Sequence, residues 1–151
     1  KKIMLFRKQN IVLFIAWLLL ILLFFIPVIR LISPSNIPIT IYDTKAPLQP
    51  IGWLYALIVV HILLILLLPI TIYRIKNLIH QLRLNAVAFF LNVLLLLGIL
   101  LIPDVWVKHG ILYRYDYIGV LIPIISFIMI ILANKYIRSD IQKIRSANRL
   151  R

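Results

Sequence analysis

Four stretches of this chain contain no Asp, Glu, Lys or Arg; they run from about Ile11 to Ile29, Gly52 to Tyr73, Leu84 to Pro103 and Tyr117 to Asn134. A hydrocarbon core about 30 Å thick needs roughly 20 residues at about 1.5 Å rise, so each stretch is long enough to cross it. A backbone in lipid must satisfy its own hydrogen bonds, which makes these runs helices despite the β-branched content of Val120 to Ile131. A membrane barrel would need a polar residue at every second position, and no run has that alternation. The expected fold is therefore an all-α membrane protein, a four-transmembrane-helix up-down bundle forming one domain over residues 1–151.

Composition agrees with this reading: 64% of the 151 residues are hydrophobic, against roughly 45–50% in a soluble domain. The four acids are all Asp, which argues against paired-carboxylate hydrolysis and carboxylate metal cages. With no Cys there is no disulfide, thiolate zinc site or cysteine nucleophile. Walker, Rossmann and nucleophile-elbow patterns are absent, and the chain does not read as an enzyme.

Lys1, Lys2, Arg7 and Lys8 precede the first apolar run as in a signal peptide, but the run is longer than a signal core. Phe24 to Val28 offers no small-residue cleavage site, so the segment reads as an uncleaved anchor. The net charge of +13 is strongly partitioned. Thirteen of the 17 basic residues lie in the amino end, in the second connection (Arg74, Lys76, Arg83) and in the tail (Lys135 to Arg151). The other two connections hold Arg30, Lys45, Lys108 and Arg114 with Asp43, Asp104 and Asp116. The positive-inside rule then puts both termini in the cytoplasm. The partition also accounts for the basicity without nucleic acid. Trp53, Tyr55, Trp106, Tyr113, Tyr115 and Tyr117 fall near the outer interface, with Tyr73 and Tyr136 near the inner one, as amphipathic rings should.

The first outer connection carries Pro34, Pro38, Pro47 and Pro50, which oppose a helix, while Ile37 to Tyr42 suits a short strand. Val105 to Tyr115 reads as two β-rich arms around His109-Gly110, a hairpin signal. A small extracytoplasmic β cap is one expectation here, and an irregular interfacial loop is the other. The tail, residues 135–151, sets Ile137, Ile141 and Ile144 on one helical face with basic residues beside them, predicting an amphipathic helix on the cytoplasmic surface. Arg138, Lys143, Arg145, Arg149 and Arg151 are its candidates for contact with anionic lipid or a partner, or simply a positive-inside stop signal.

His61 is the only ionisable side chain near the middle of a span, a functional hypothesis by default. Counted by helical rise, His61 lies about 18 Å from the cytoplasmic ends and Asn92 and Ser126 about 12 Å, close enough to predict an interhelical polar knot of helices two, three and four. His80 and His109 lie at opposite surfaces, which disfavours a bis-histidine haem; His61 is a weak candidate for a quinone contact, and no cofactor is expected. Pro69 and Pro123 should kink their spans and free a carbonyl each, and no charged or amide-rich face makes a continuous polar path. Gly98 permits a close helix approach.

The segments Leu132-Ala133-Asn134-Lys135-Tyr136-Ile137-Arg138-Ser139-Asp140 and Arg145-Ser146-Ala147-Asn148-Arg149-Leu150-Arg151 resemble the closing signature of a family of small four-span inner-membrane proteins in Bacteroidota, a domain-of-unknown-function family. Met4, Arg7 and Gln9 look like its opening, Pro27 like the proline closing its first helix, and Leu82-Arg83-Leu84-Asn85 like the lead-in to its third. Asn148 stands where the family usually has Asp, and Lys1, Lys2 and Ile3 precede the expected start. The resemblance implies a fold and an inner-membrane setting, with no activity.

The expected function is a non-catalytic accessory or stabilising subunit of a larger membrane complex, with lipid and other membrane subunits as partners. The alternatives are a small-molecule carrier or channel, or a redox or quinone-associated subunit.

Overall fold

The computed structural model describes residues 7–32, 37–42, 51–74, 77–107 and 112–149. It has four helices, α1 (Lys8–Leu22), α2 (Ile51–Tyr73), α3 (Leu78–Val107) and α4 (Tyr117–Arg149), and three short strands, β1 (Ile29–Leu31), β2 (Ile37–Ile39) and β3 (Tyr113–Tyr115). Each helix packs against its chain neighbours, and α1 closes on α4. Three of them, α2, α3 and α4, are long and apolar enough to cross a membrane.

A narrow periodic stripe of each helix is buried. On α3 it is Leu78, Gln81, Asn85, Ala88, Asn92, Leu95 and Ile99, and on α2 it is Leu57, His61, Leu64, Leu68 and Thr71. Steps of three and four residues keep one seam facing inward along the whole helix. Most of the outward surface between the helix ends is apolar: Phe90 is 61% exposed and Leu66 59%. Water would not tolerate such faces, whereas lipid or another helix would.

The first expected span, Ile11 to Ile29, is not one helix. α1 ends at Leu22, about 22 Å long at 1.5 Å per residue. Its last turn tightens, with Leu23 and Phe24 N–H donating to Leu20 and Ile21 carbonyls three residues back. Pro27 disfavours helix at the residue before it, so the chain leaves the helix here. The following segment folds back into the bundle instead of leaving it. Leu23, Val28, Ile29, Leu31, Ile39 and Ile41 are all buried in the same core as Leu13, Leu20 and Leu95.

The strands form one antiparallel sheet in the order β2-β1-β3. Ile29 faces Ile39 on one side and Tyr115 on the other; Arg30 lies between Pro38 and Arg114. Alternation sends Ile29 and Leu31 into the core and Arg30 outward. The hairpin expected over Val105 to Tyr115 does not form as such. Val105 to Val107 continue α3, and Tyr113–Tyr115 pairs with the distant β1, because a β-rich trio has no strand partner until the sheet offers one. The Lys108, His109 and Gly110 part of that reading lies outside the described residues, as do Asp43, Lys45 and Pro47.

The tail is also corrected. It is helical, as expected, but residues 135–149 are nearly half of α4, continuous with the apolar stretch before them and not a separate surface helix. Nothing between Asn134 and Ser146 is Gly or Pro, so the backbone had no reason to stop at the hydropathy boundary. Ile137 is fully buried, and Asp140 meets Arg7 at 3.9 Å, tying the tail to the start of α1.

Candidate functional site

His61 is wholly buried one residue per turn along the α2 seam, between Leu57 and Leu64. Its Nε2 lies 3.0 Å from the Leu20 carbonyl, and its Nδ1 lies 2.5 Å from the Tyr42 hydroxyl. A carbonyl only accepts, so Nε2 carries the proton; Nδ1 then accepts from the Tyr42 O–H. Both nitrogens of a neutral imidazole are thereby used. At the premature end of α1 the Leu20 carbonyl accepts from the Leu23 N–H, and His61 adds a second donor to its other lone pair. Phe24 stacks on Tyr42 with centroids 4.5 Å apart and leans on the His61 ring at 5.2 Å, enclosing the group. Burial pushes the Tyr42 phenol up to about 12, so it remains a donor across the physiological range.

Asn92 Nδ2 donates to Ser126 Oγ at 2.7 Å, joining α3 to α4, and Ser126 Oγ in turn donates to the Pro123 carbonyl. The structure thus brings Asn92 and Ser126 together and leaves His61 out of that contact. The expected three-helix knot is two separate sites, because α1 stops beside His61 and both ring nitrogens are taken up by the Leu20 carbonyl and the Tyr42 hydroxyl.

The expectation that no amide-rich face exists is overturned. Gln81, Asn85 and Asn92 all lie on the buried stripe of α3. Gln9 Nε2 donates to Gln81 Oε1 and Gln81 Nε2 to Asn10 Oδ1, at 3.3 and 3.0 Å, so α1 is sewn to α3. Asn85 Nδ2 donates to the Ile130 carbonyl of α4. The amide oxygens of Asn85, Asn92 and Asn134 are buried with no protein donor. The spacing of Gln81, Asn85 and Asn92 by four and seven residues, in phase with Leu78, Ala88 and Leu95, was the signal available in the sequence.

The prolines act differently from each other. Pro69 has no N–H, which frees the Ile65 carbonyl four residues back. Trp17 Nε1 of α1 donates to it at 3.0 Å. Pro123 is buried in α4, and its own carbonyl accepts from Ser126. Gly98 meets Leu57 of α2, whose Cδ2 would lie 2.0 Å from an added Cβ.

Of the basic tail candidates, Arg138, Lys143 and Arg145 are exposed; the Arg149 side chain and Arg151 lie outside the described residues. Among the described residues no group of three His, Cys, Asp or Glu side chains is placed to hold a metal. The chemistry on view is hydrogen bonding that joins helices.

The chain belongs to the family described as a domain of unknown function (DUF4293), whose match covers residues 5–150. No curated protein matches the chain, and no solved structure does.

Proposed function

We propose that this member of a family of unknown function is a non-catalytic integral protein of the bacterial inner membrane that serves as an accessory or stabilising subunit of a larger membrane assembly. One observation carries the reading. Among the described residues the amides, His61 and Ser126 within the apolar stretches of the helices turn inward and hydrogen-bond within the chain, while the outward faces of those stretches of α2, α3 and α4 are apolar. Such a surface has lipid and other apolar helices as its partners. In the proposed topology both termini are cytoplasmic. The exposed Arg74, Arg83, Lys135, Arg138, Lys143 and Arg145 support it by sharing the end of the bundle where Arg7 meets Asp140, opposite the sheet. Tyr55 and Tyr117 are exposed toward one end and Tyr73 toward the other, as headgroup-level rings would be. The sheet then lies on the extracytoplasmic side as a cap.

Photocrosslinking from residues replacing Leu66, Phe90 and Ile125, one on each long helix, tests the subunit role in native membranes. Capture of one discrete protein from one face, with lipid from the others, supports it. Lipid adducts alone at every position overturn it.

A carrier is the second reading, and the buried acceptor oxygens of Asn85, Asn92 and Asn134 favour it. They line the seam between α3 and α4, where a passing donor group would be bound. Liposome uptake of small hydroxylated or amide solutes that disappears in Asn92→Leu supports this reading, and uptake equal to that of empty liposomes removes it.

A further inference from the structure

We infer that the outward face of the sheet is a binding site for the phosphodiester headgroup of an anionic lipid, held by Arg30 and Arg114. The two arginines are direct cross-strand partners in the β1–β3 register. Like charges in that position repel and destabilise an antiparallel pair, so their juxtaposition is costly unless an anion sits between them. Among the described residues only one of the two has a carboxylate. Asp116 Oδ2 accepts from Arg30 Nε at 2.7 Å, while the Arg114 guanidinium rests over the Tyr117 ring, 5.5 Å from its centroid. Asp116 also accepts from the Ile118 N–H at the start of α4, which fixes the carboxylate in place. The three charged groups sum to one net positive charge, the complement of a single phosphodiester. They line a cleft of about 480 Å³ together with Ile32, Tyr115 and Tyr117.

The surroundings select a lipid over a free anion. Ile32 is 50% exposed, Tyr117 69% and Ile118 61%, and this apolar rim runs onto the outward side of α4 through Leu121 and Ile125. An acyl chain has a continuous apolar path from the cleft along a helix long enough to span the membrane, whereas inorganic phosphate has no use for it. Arginine suits the task because its planar donors grip two phosphate oxygens at once. The site rests on the reading that the helices are embedded in lipid, in a bilayer or a micelle, but is independent of any partner subunit.

Native mass spectrometry of the purified chain in mixed phosphatidylglycerol and phosphatidylcholine micelles tests the inference. The expected result is selective retention of phosphatidylglycerol, reduced about fivefold in Arg114→Gln, the effect of one basic side chain at a lipid surface. Arg83→Gln, an exposed arginine at the other end of the bundle, should retain the wild-type ratio. Arg114 is outward-facing, and an unchanged circular dichroism melt verifies that its variant folds; Arg114→Lys should recover part of the selectivity by charge alone. Equal loss in Arg83→Gln would show charge attraction by the whole molecule and overturn the site. Displacement of the lipid by millimolar inorganic phosphate would identify a free anion as the ligand and overturn the lipid assignment, as would identical ratios in wild type and Arg114→Gln.

Discussion

At Gly119 an added Cβ would lie 2.2 Å from the Pro27 carbonyl oxygen and 2.8 Å from Val28 Cα, both backbone atoms that cannot rotate away. Gly119 is therefore where α4 touches the fold-back after α1. Gly119→Ala should lower stability by about 2–3 kcal/mol, the upper range for overpacking a closed contact. At Gly98 the obstacle is the tip of the Leu57 side chain, which has other rotamers. Gly98→Ala should change stability by about 1 kcal/mol or less, because the helix-propensity gain of Ala offsets the repacking. Unfolding midpoints in mixed micelles with increasing SDS compare the two. Tyr42 makes a pH prediction at the same scale. Its folded pKa is raised above the ordinary 10.0 to about 12 by burial, so the stability it contributes is fully present below pH 10 and is lost as the pH climbs through about 12. The difference in unfolding midpoint between wild type and Tyr42→Phe should be flat up to pH 10 and shrink above it. His61 was legible in the sequence as a buried polar group, but its partners were not. One is a backbone carbonyl and the other a tyrosine in a connection, and neither is marked by helical spacing.

Among the elements, α1 and α2 show how a proline break is absorbed. Pro69 deprives Ile65 of its helical donor, and Trp17 supplies the missing N–H from the neighbouring helix. Trp17→Phe keeps a ring in the groove but leaves that carbonyl unpaired, for an expected loss of about 1 kcal/mol. In a Pro69→Ala background the helix regains its own donor at residue 69, and Trp17→Phe should then cost measurably less. A double-mutant cycle on SDS unfolding reads the difference; additive losses would mean that the indole acts only by packing. The same scale shows what hydropathy could and could not reveal. The long apolar runs of α2, α3 and α4 are imposed by their environment and stand out in the sequence. The stop of α1 depends on Pro27 and on space beside α2, and the length of α4 depends on the absence of a breaker. A window of apolar residues records neither. The strand Tyr113–Tyr115 was visible as β-rich, but its partner strand Ile29–Leu31 lies far back in the chain, with Ile29 opposite Tyr115 and Leu31 opposite Tyr113, which local pattern does not encode.

For the molecule as a whole, the two ends differ in character. One gathers Arg7, Asp140 and the exposed cations of the tail, and the other gathers the sheet, whose inner face closes the core with Ile29, Leu31 and Ile39. Helices whose outward faces are apolar and whose ends carry unequal positive charge are oriented by that asymmetry during insertion. The absence of cysteine from the sequence makes the orientation directly measurable. Ser146→Cys places one thiol on the exposed tail, and Leu112→Cys places one beside the sheet, where Leu112 is 65% exposed and its carbonyl accepts from Ile32 N–H. In cells with a permeable outer envelope and an intact inner membrane, a charged maleimide should label the thiol at 112 at once and the thiol at 146 only after the inner membrane is lysed. The reverse order would invert the bundle, and equal labelling of both in intact cells would mean that the chain does not separate its two ends across a bilayer. Because charge bias acts on the whole bundle, neutralising Arg138, Lys143 and Arg145 together should increase early labelling at 146 more than any one substitution does.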